Sequence, residues 1–196
     1  MAIPVAAYVA AAPRDTRTRA ERTVTVAPSA DRQAEAPAAT EATIDGDGSI
    51  TIPVAGIRVD QLHDNFNDAR TGHVHGALDI MAPRGTPVVA AVDGTIHKLF
   101  TSGAGGLTIY EYDQAEQKIY YYAHLDSYAA GIGEGLRVTR GTVIGYVGTT
   151  GNAPPGSPHL HFAIMLMAPQ KEWWKGTAID PYPLLRDHGV TIAESR

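Results

Sequence analysis

The stretch HLHFAIML, His159 to Leu166, decides how the chain is read. Phe162, Ala163, Ile164, Met165 and Leu166 form a continuous apolar run with a β-branched residue inside it, which favours a strand over a helix. Side chains two apart on a strand point to the same face, so His159 and His161 look into one site.

Turn signals surround this strand on every side. Residues 86–92 and 95–100 flank Asp93-Gly94, a hairpin signal. The cluster from Gly103 to Gly106 separates these from residues 107–112, the polar DQAEQ leads into residues 118–125, and RVTRGTVIGYVG follows at 137–148. A long loop, TTGNAPPGSP, then precedes HLHF. Regular short strands with Gly and Pro turns predict an all-β fold, a compact antiparallel sandwich or barrel. No strong amphipathic helix precedes Asp180, and PYPLL at 181–185 reads as a brief helix or turn.

Composition bounds the rest. A chain of 196 residues with 44% hydrophobic and 19% charged residues describes one globular domain with an extension. The net charge of −5 supplies no basic footprint for nucleic acid, so no such partner is expected. Cysteine is absent, so any zinc site is built from His and carboxylate. Residues 1–12, MAIPVAAYVAAA, fall short of the ~20 apolar residues a membrane span needs and read as a signal remnant or a mis-set start. Residues 13–48 are rich in Ala, Pro, Thr, Arg and Glu, too poor in large apolar groups to offset their ordering entropy, and are expected to be a disordered tether. The folded domain is placed at 49–188, with a tail at 189–196.

Outside HLHF, two further stretches carry chemistry: HGALD, His75 to Asp79, and YYAH, ending at His124. His75 and Asp79 are four apart, a spacing that shares a helix face, yet Gly72, Gly76, Pro83 and Gly85 argue for a loop entering a short extended segment. Either geometry lets both reach one ion. Imidazole and carboxylate are the ligands a hydrolytic zinc site uses, three from the protein with one position left open. His63, His97 and His188 stand apart from these motifs and read as ordinary surface or core residues; His73, two before His75, reads as a structural or substrate contact. Within YYY, alternation places Tyr120 and Tyr122 on the face of His124 and turns Tyr121 away. Trp173 and Trp174 either cap the core or bound a groove.

The segments FNDARTGHVHGALDIMAPRGTPVVAAVDGTI, YYAHLD and RGTVIGYVGTTGNAPPGSPHLHF resemble, in order and in loop length, the catalytic domain of the lysostaphin and LytM-type zinc endopeptidases, which cut the peptide part of bacterial cell walls. The resemblance covers about residues 53 to 185. It implies a barrel-sandwich hybrid (duplicated hybrid motif) whose groove holds one Zn2+ per chain, with His75, Asp79 and His161 as ligands. It further implies that His124 and His159 are the catalytic pair beside the metal, one taking a proton from water and the other serving the oxyanion or the leaving amine. Several relatives carry a Tyr shortly before the first ligand that helps hold the tetrahedral intermediate. No Tyr occurs between Ile52 and His75, so that role falls to His124 or Arg70 or goes unfilled.

The implied substrate is a peptidoglycan peptide, with stem-peptide crosslinks favoured, and the implied location is the cell envelope, periplasmic or secreted. Two other functions fit the same residues: a non-catalytic envelope scaffold or amidase activator, whose ligand set is usually broken, and a zinc endopeptidase acting on Gly-rich proteins. The glycine-rich hairpins also resemble lipoyl-carrier modules, but those present a Lys where this chain has Asp93-Gly94.

Overall fold

The structure is a computed structural model that describes residues 50–70 and 72–192. The expected signal remnant at 1–12, the tether at 13–48 and the last residues of the tail, 193–196, lie outside the described residues. Within them the chain runs β1 (Ile50–Thr51), β2 (Ala69–Arg70), β3 (His73–Val74), β4 (Leu78–Met81), β5 (Pro87–Val89), β6 (Gly94–Ser102), β7 (Gly106–Asp113), β8 (Lys118–Tyr128), β9 (Arg137–Val138), β10 (Val143–Val147), β11 (His159–Met167) and β12 (Gly176–Ile179). It then forms helix α1 (Pro181–His188) and ends in β13 (Gly189–Val190). The fold is all-β with this one α-helix and a short 3-10 turn at Val59–Gln61 among the described residues, none of whose helices is long and apolar enough to cross a membrane.

Nine strands join in one sheet, with β12, β11, β8, β7, β6 and β9 as successive neighbours, and β4, β5 and β10 branching from that path. Strand β8 is the element that shapes it. Its first half pairs with β11, with His161 opposite Ala123, and its second half pairs with β10, with Val147 opposite Leu125. His124 sits where the partner changes, in the left-handed region at φ 61, and the register to β7 shifts across the same point. A bulge of this kind bends a strand and re-aims a side chain.

The tyrosines alternate as expected, and the bulge overturns only the expectation that His124 shares the face of Tyr120 and Tyr122. Tyr122 and Tyr120 are buried in the main core with Phe162, Ile164, Ile109 and Leu125, whereas Tyr121 faces the opposite side of the sheet and packs against a second cluster of Tyr110, Tyr112, Ile119 and Met165. His124 leaves the face of Tyr122 because its positive φ breaks the two-residue period between them. Trp173 completes the second cluster, its ring centroid 4.8 Å from Tyr110 and 5.3 Å from Phe100.

The hairpin expected about Asp93-Gly94 does not form. β5 pairs with β10, and β6 pairs with β7 and β9. The residues between are tied elsewhere: Ala90 exchanges backbone hydrogen bonds with Thr142 and Gly141, the Ala91 carbonyl accepts from Thr51, and the Asp93 carboxylate accepts the Arg140 N–H at 2.7 Å. Asp93 therefore caps a distant turn instead of closing a local one. At the C-terminus Asp180 caps α1 by accepting the Tyr182 N–H, with Pro181 at the first helical position, and β13 then pairs in parallel with β1.

One buried acid lies in the main core. Glu111 is fully buried on β7; its Oε2 accepts from the Tyr122 hydroxyl, which in turn accepts the Ala91 N–H at 2.9 Å, while Oε1 has no partner among the described residues. Burial pushes its pKa up to about 8, so the native state holds this carboxyl protonated where the unfolded chain, near 4.5, has released the proton. The stability this group permits is fully present below pH 4.5 and is lost as pH rises toward 8, by on the order of 4 kcal/mol across that window. Glu111→Gln is expected to flatten this slope, measured as melting temperature against pH in the presence of a chelator. An unchanged slope would assign the pH dependence to other groups.

Candidate active site

A groove of about 710 Å³ crosses the face of the sheet that carries the second cluster. Its floor is built from small residues on neighbouring strands, Ala123, Ala163 and Ala178, and Tyr110, Tyr121 and Met165 continue that floor on the same face. The loops that wall it contribute Arg70 and His73 on one side and Ala104, Gly105, Asn152 and Pro154 on the other. Tyr121, which alternation had turned away, lies in this groove with its ring edge-on to His161 at 6.1 Å.

Three motifs meet on the floor. β4 pairs with β11 so that Asp79 stands directly opposite His161, a register that makes the two side chains cross-strand neighbours. His75 precedes β4 in a loop, not a helix, held by backbone bonds from His75 N to Asp68 O and from Gly76 N to Phe66 O, both 2.9 Å. His75 Nε2 lies 3.0 Å from Asp79 Oδ1 and 3.1 Å from His161 Nδ1, and His161 Nδ1 lies 2.9 Å from the same Oδ1. His159 and His161 do share a face of β11: His159 Nε2 is 3.8 Å from Asp79 Oδ1. The rings of His124 and His159 stand 4.9 Å apart.

Backbone carbonyls set the tautomers, because a carbonyl only accepts. His75 Nδ1–H donates to Asn65 O at 3.0 Å, His124 Nδ1–H to Thr150 O at 2.8 Å and His159 Nδ1–H to Ser157 O at 2.8 Å. In the neutral ring each is then left with Nε2 as its lone-pair nitrogen. Such a second partner on the ring is what a metal-binding or base histidine needs to hold its orientation. Asn65 also accepts the Asp79 N–H through its side chain at 3.2 Å, so a single residue braces both ends of HGALD.

The arrangement fits a divalent cation. His75 Nε2 and Asp79 Oδ1 present only lone pairs, and a proton on His161 Nδ1 relieves their repulsion in part where a cation relieves it in full. The three atoms are also spaced close to the ~3.3 Å edge of a tetrahedron with ~2.0–2.1 Å bonds. Among the described residues this is the group of acidic and imidazole side chains that meets at ligating distance. Burial raises the Asp79 carboxyl, but its contacts with the His161 and His75 imidazoles outweigh it and hold the group well below the usual carboxylate range. Desolvation lowers His124 to about 4 and lowers His161 as well, so both rings stay neutral at pH 7.

His97, expected to be an ordinary residue, stacks on Tyr112 at 4.0 Å outside the site. His73 lines the groove without joining the three converging atoms. Sequence reasoning did not find Asn65, Thr150 or Ser157, since a main-chain carbonyl has no residue identity to read, nor Tyr110, whose strand gave no cue to its face.

Comparison with known proteins places these residues in context. The model of Peptidase family M23 matches residues 73–181. The L-Ala--D-Glu endopeptidase of Bacillus subtilis (strain 168) is 35% identical over 139 residues, covering 66% of this chain and 41% of that protein. The peptidoglycan DD-endopeptidase ShyC of Vibrio cholerae is 34% identical over 112 residues, covering 54% of this chain and 25% of that protein. This chain thus spans less than half the length of either relative. Among solved structures, the catalytic domain of the antimicrobial peptidase lysostaphin from Staphylococcus simulans aligns with a TM-score of 0.55 at 28% identity, covering 65% of this chain and 95% of that domain.

Proposed function

Since this chain belongs to peptidase family M23, we propose that it is a zinc endopeptidase that hydrolyses peptide bonds in bacterial peptidoglycan, with His75, Asp79 and His161 holding one zinc ion and His124 and His159 as its acid–base pair. The observation that carries this reading is the convergence of His75 Nε2, Asp79 Oδ1 and His161 Nδ1 within 3.1 Å on the floor of an open groove, beside two further imidazoles. When bound, zinc supplies Lewis acidity that lowers the pKa of water and polarises a carbonyl.

The chain's own residues do the rest. His159 Nε2, beside the ligand cluster and fixed through Ser157, takes the proton of the attacking water. His124 Nε2, the lone-pair nitrogen of the neutral ring, serves the oxyanion or the leaving amine once it has taken up the proton that His159 drew from the water; burial lowers its pKa to about 4, so it then gives that proton up readily. The two roles exchange if the scissile peptide lies in the groove the other way round. An extended peptide fits a groove floored by alanines, and stem-peptide bonds, crosslinks among them, are the substrates that the two bacterial relatives' names suggest. Such a substrate places the protein in the cell envelope, periplasmic or secreted.

The test is release of new amino groups from purified sacculi by protein loaded with one equivalent of zinc, with mass spectrometry of the fragments. Release that depends on zinc and disappears in Asp79→Ala is expected, and the new termini identify the bond. Zinc uptake without release would favour a scaffold role, and cleavage of a soluble Gly-rich peptide but not of sacculi would favour a protein substrate. Either result would overturn the proposal.

A further inference from the structure

Asp79 uses its two carboxylate oxygens differently. Oδ1 faces His75 Nε2 at 3.0 Å and His161 Nδ1 at 2.9 Å, while Oδ2 accepts from Arg70 Nη2 at 3.0 Å. Arg70 is held at the rim of the groove by the β2–β3 hairpin, in which it pairs with His73 and Ala69 pairs with Val74. Its side chain is 43% exposed and that of Asp79 only 17%, so the guanidinium reaches inward from solvent to the outer oxygen of the carboxylate. Asp79 is the only acid among the described residues lining the groove.

Resting on the zinc reading above, we propose that Arg70 is a positioning residue of the metal centre. By taking Oδ2 it keeps Oδ1 alone turned toward the cation and keeps the second oxygen from joining it. Rotation of a carboxylate about its last torsion is soft, so nothing intrinsic to Asp selects one oxygen. A guanidinium is planar, permanently charged and presents its donors in a fixed fork, which suits it to fixing a carboxylate plane. The selection matters because a second carboxylate oxygen on the ion would occupy the position that a hydrolytic site leaves open.

The experiment loads full-length wild type, Arg70→Ala and Arg70→Lys with one equivalent of Co2+ and records the visible spectrum, with far-UV circular dichroism as the check on folding. The Arg70→Ala protein is expected to keep its fold and lose about two-fold or more of the cobalt absorbance, since the intensity falls as coordination rises above four. Arg70→Lys, which retains a cationic donor without the fork, is expected to recover part of it. Loss of cobalt uptake in a folded Arg70→Ala protein has the same meaning, because an unheld carboxylate then fails to complete the ligand set. A cobalt spectrum identical to wild type overturns the proposal even if turnover falls, for that result would place Arg70 on the substrate. A wild type that takes up neither cobalt nor zinc would sink the ligand assignment itself, and this proposal with it.

Discussion

His161→Ala is expected to abolish zinc retention and turnover together, while His159→Ala keeps the metal and loses about 10²–10⁴-fold in turnover. The two histidines are separated by one residue on the same strand face, yet their nitrogens meet different neighbours. His161 Nδ1 is in direct contact with both Asp79 Oδ1 and His75 Nε2, at 2.9 and 3.1 Å. His159 Nε2 stands 3.8 Å from the carboxylate and its ring stands beside His124. Removing His161 leaves two protein ligands where a hydrolytic zinc site uses three. Removing His159 leaves the three converging atoms untouched and takes away the proposed base. Zinc content after dialysis, measured beside amino-group release from sacculi, separates the two. Zinc lost from His159→Ala and kept by His161→Ala would reverse the assignment within HLH.

Gly151→Ala is expected to lower stability by about 3 kcal/mol or more, near 10 °C in melting temperature, and to reduce turnover while leaving zinc affinity close to wild type. Gly151 has φ 78, and a Cβ there would lie 2.3 Å from both Ala104 O and Gly106 N. Across the same seam a Cβ on Gly106, at φ 66, would strike the backbone of Thr150 at 2.3 Å. Two loops thus cross glycine on glycine, and the crossing holds His124 by His124 N to Gly105 O and His124 Nδ1 to Thr150 O, both 2.8 Å. Forcing the loops apart strains a residue in a left-handed conformation and withdraws the carbonyl that sets the His124 tautomer. The three converging atoms proposed as ligands belong to other segments, which is why metal content and turnover should part company. Equal loss of zinc and turnover would mean that the seam supports the whole floor of the groove.

The parts of the fold that could be read in advance are those where chemistry and period act locally. The apolar run after His161 required a strand, and alternation put His159 and His161 on one face whatever that strand paired with. The glycines and prolines around HGALD argued for a loop entering a short strand, and that is where His75 and β4 lie. The same rule of alternation failed one strand away. In YYYAH it assumed an unbroken pleat, and β8 is bulged at the residue where it trades β11 for β10. Nothing local to Tyr121 or His124 announces that exchange, because it is imposed by which strands lie alongside.

Residue chemistry alone thus determined an all-β chain carrying a His and Asp constellation in three separated motifs. Tertiary structure decided the register that sets Asp79 opposite His161, the bulge that turns His124 into the groove, the pairing of β5 with β10 in place of the hairpin, and the carbonyls of Asn65, Thr150 and Ser157 that fix three tautomers. The division has one physical cause. Side-chain period and turn propensity are properties of a few adjacent residues, whereas pairing partners and backbone acceptors are supplied by segments tens of residues away and exist only once the sheet has closed.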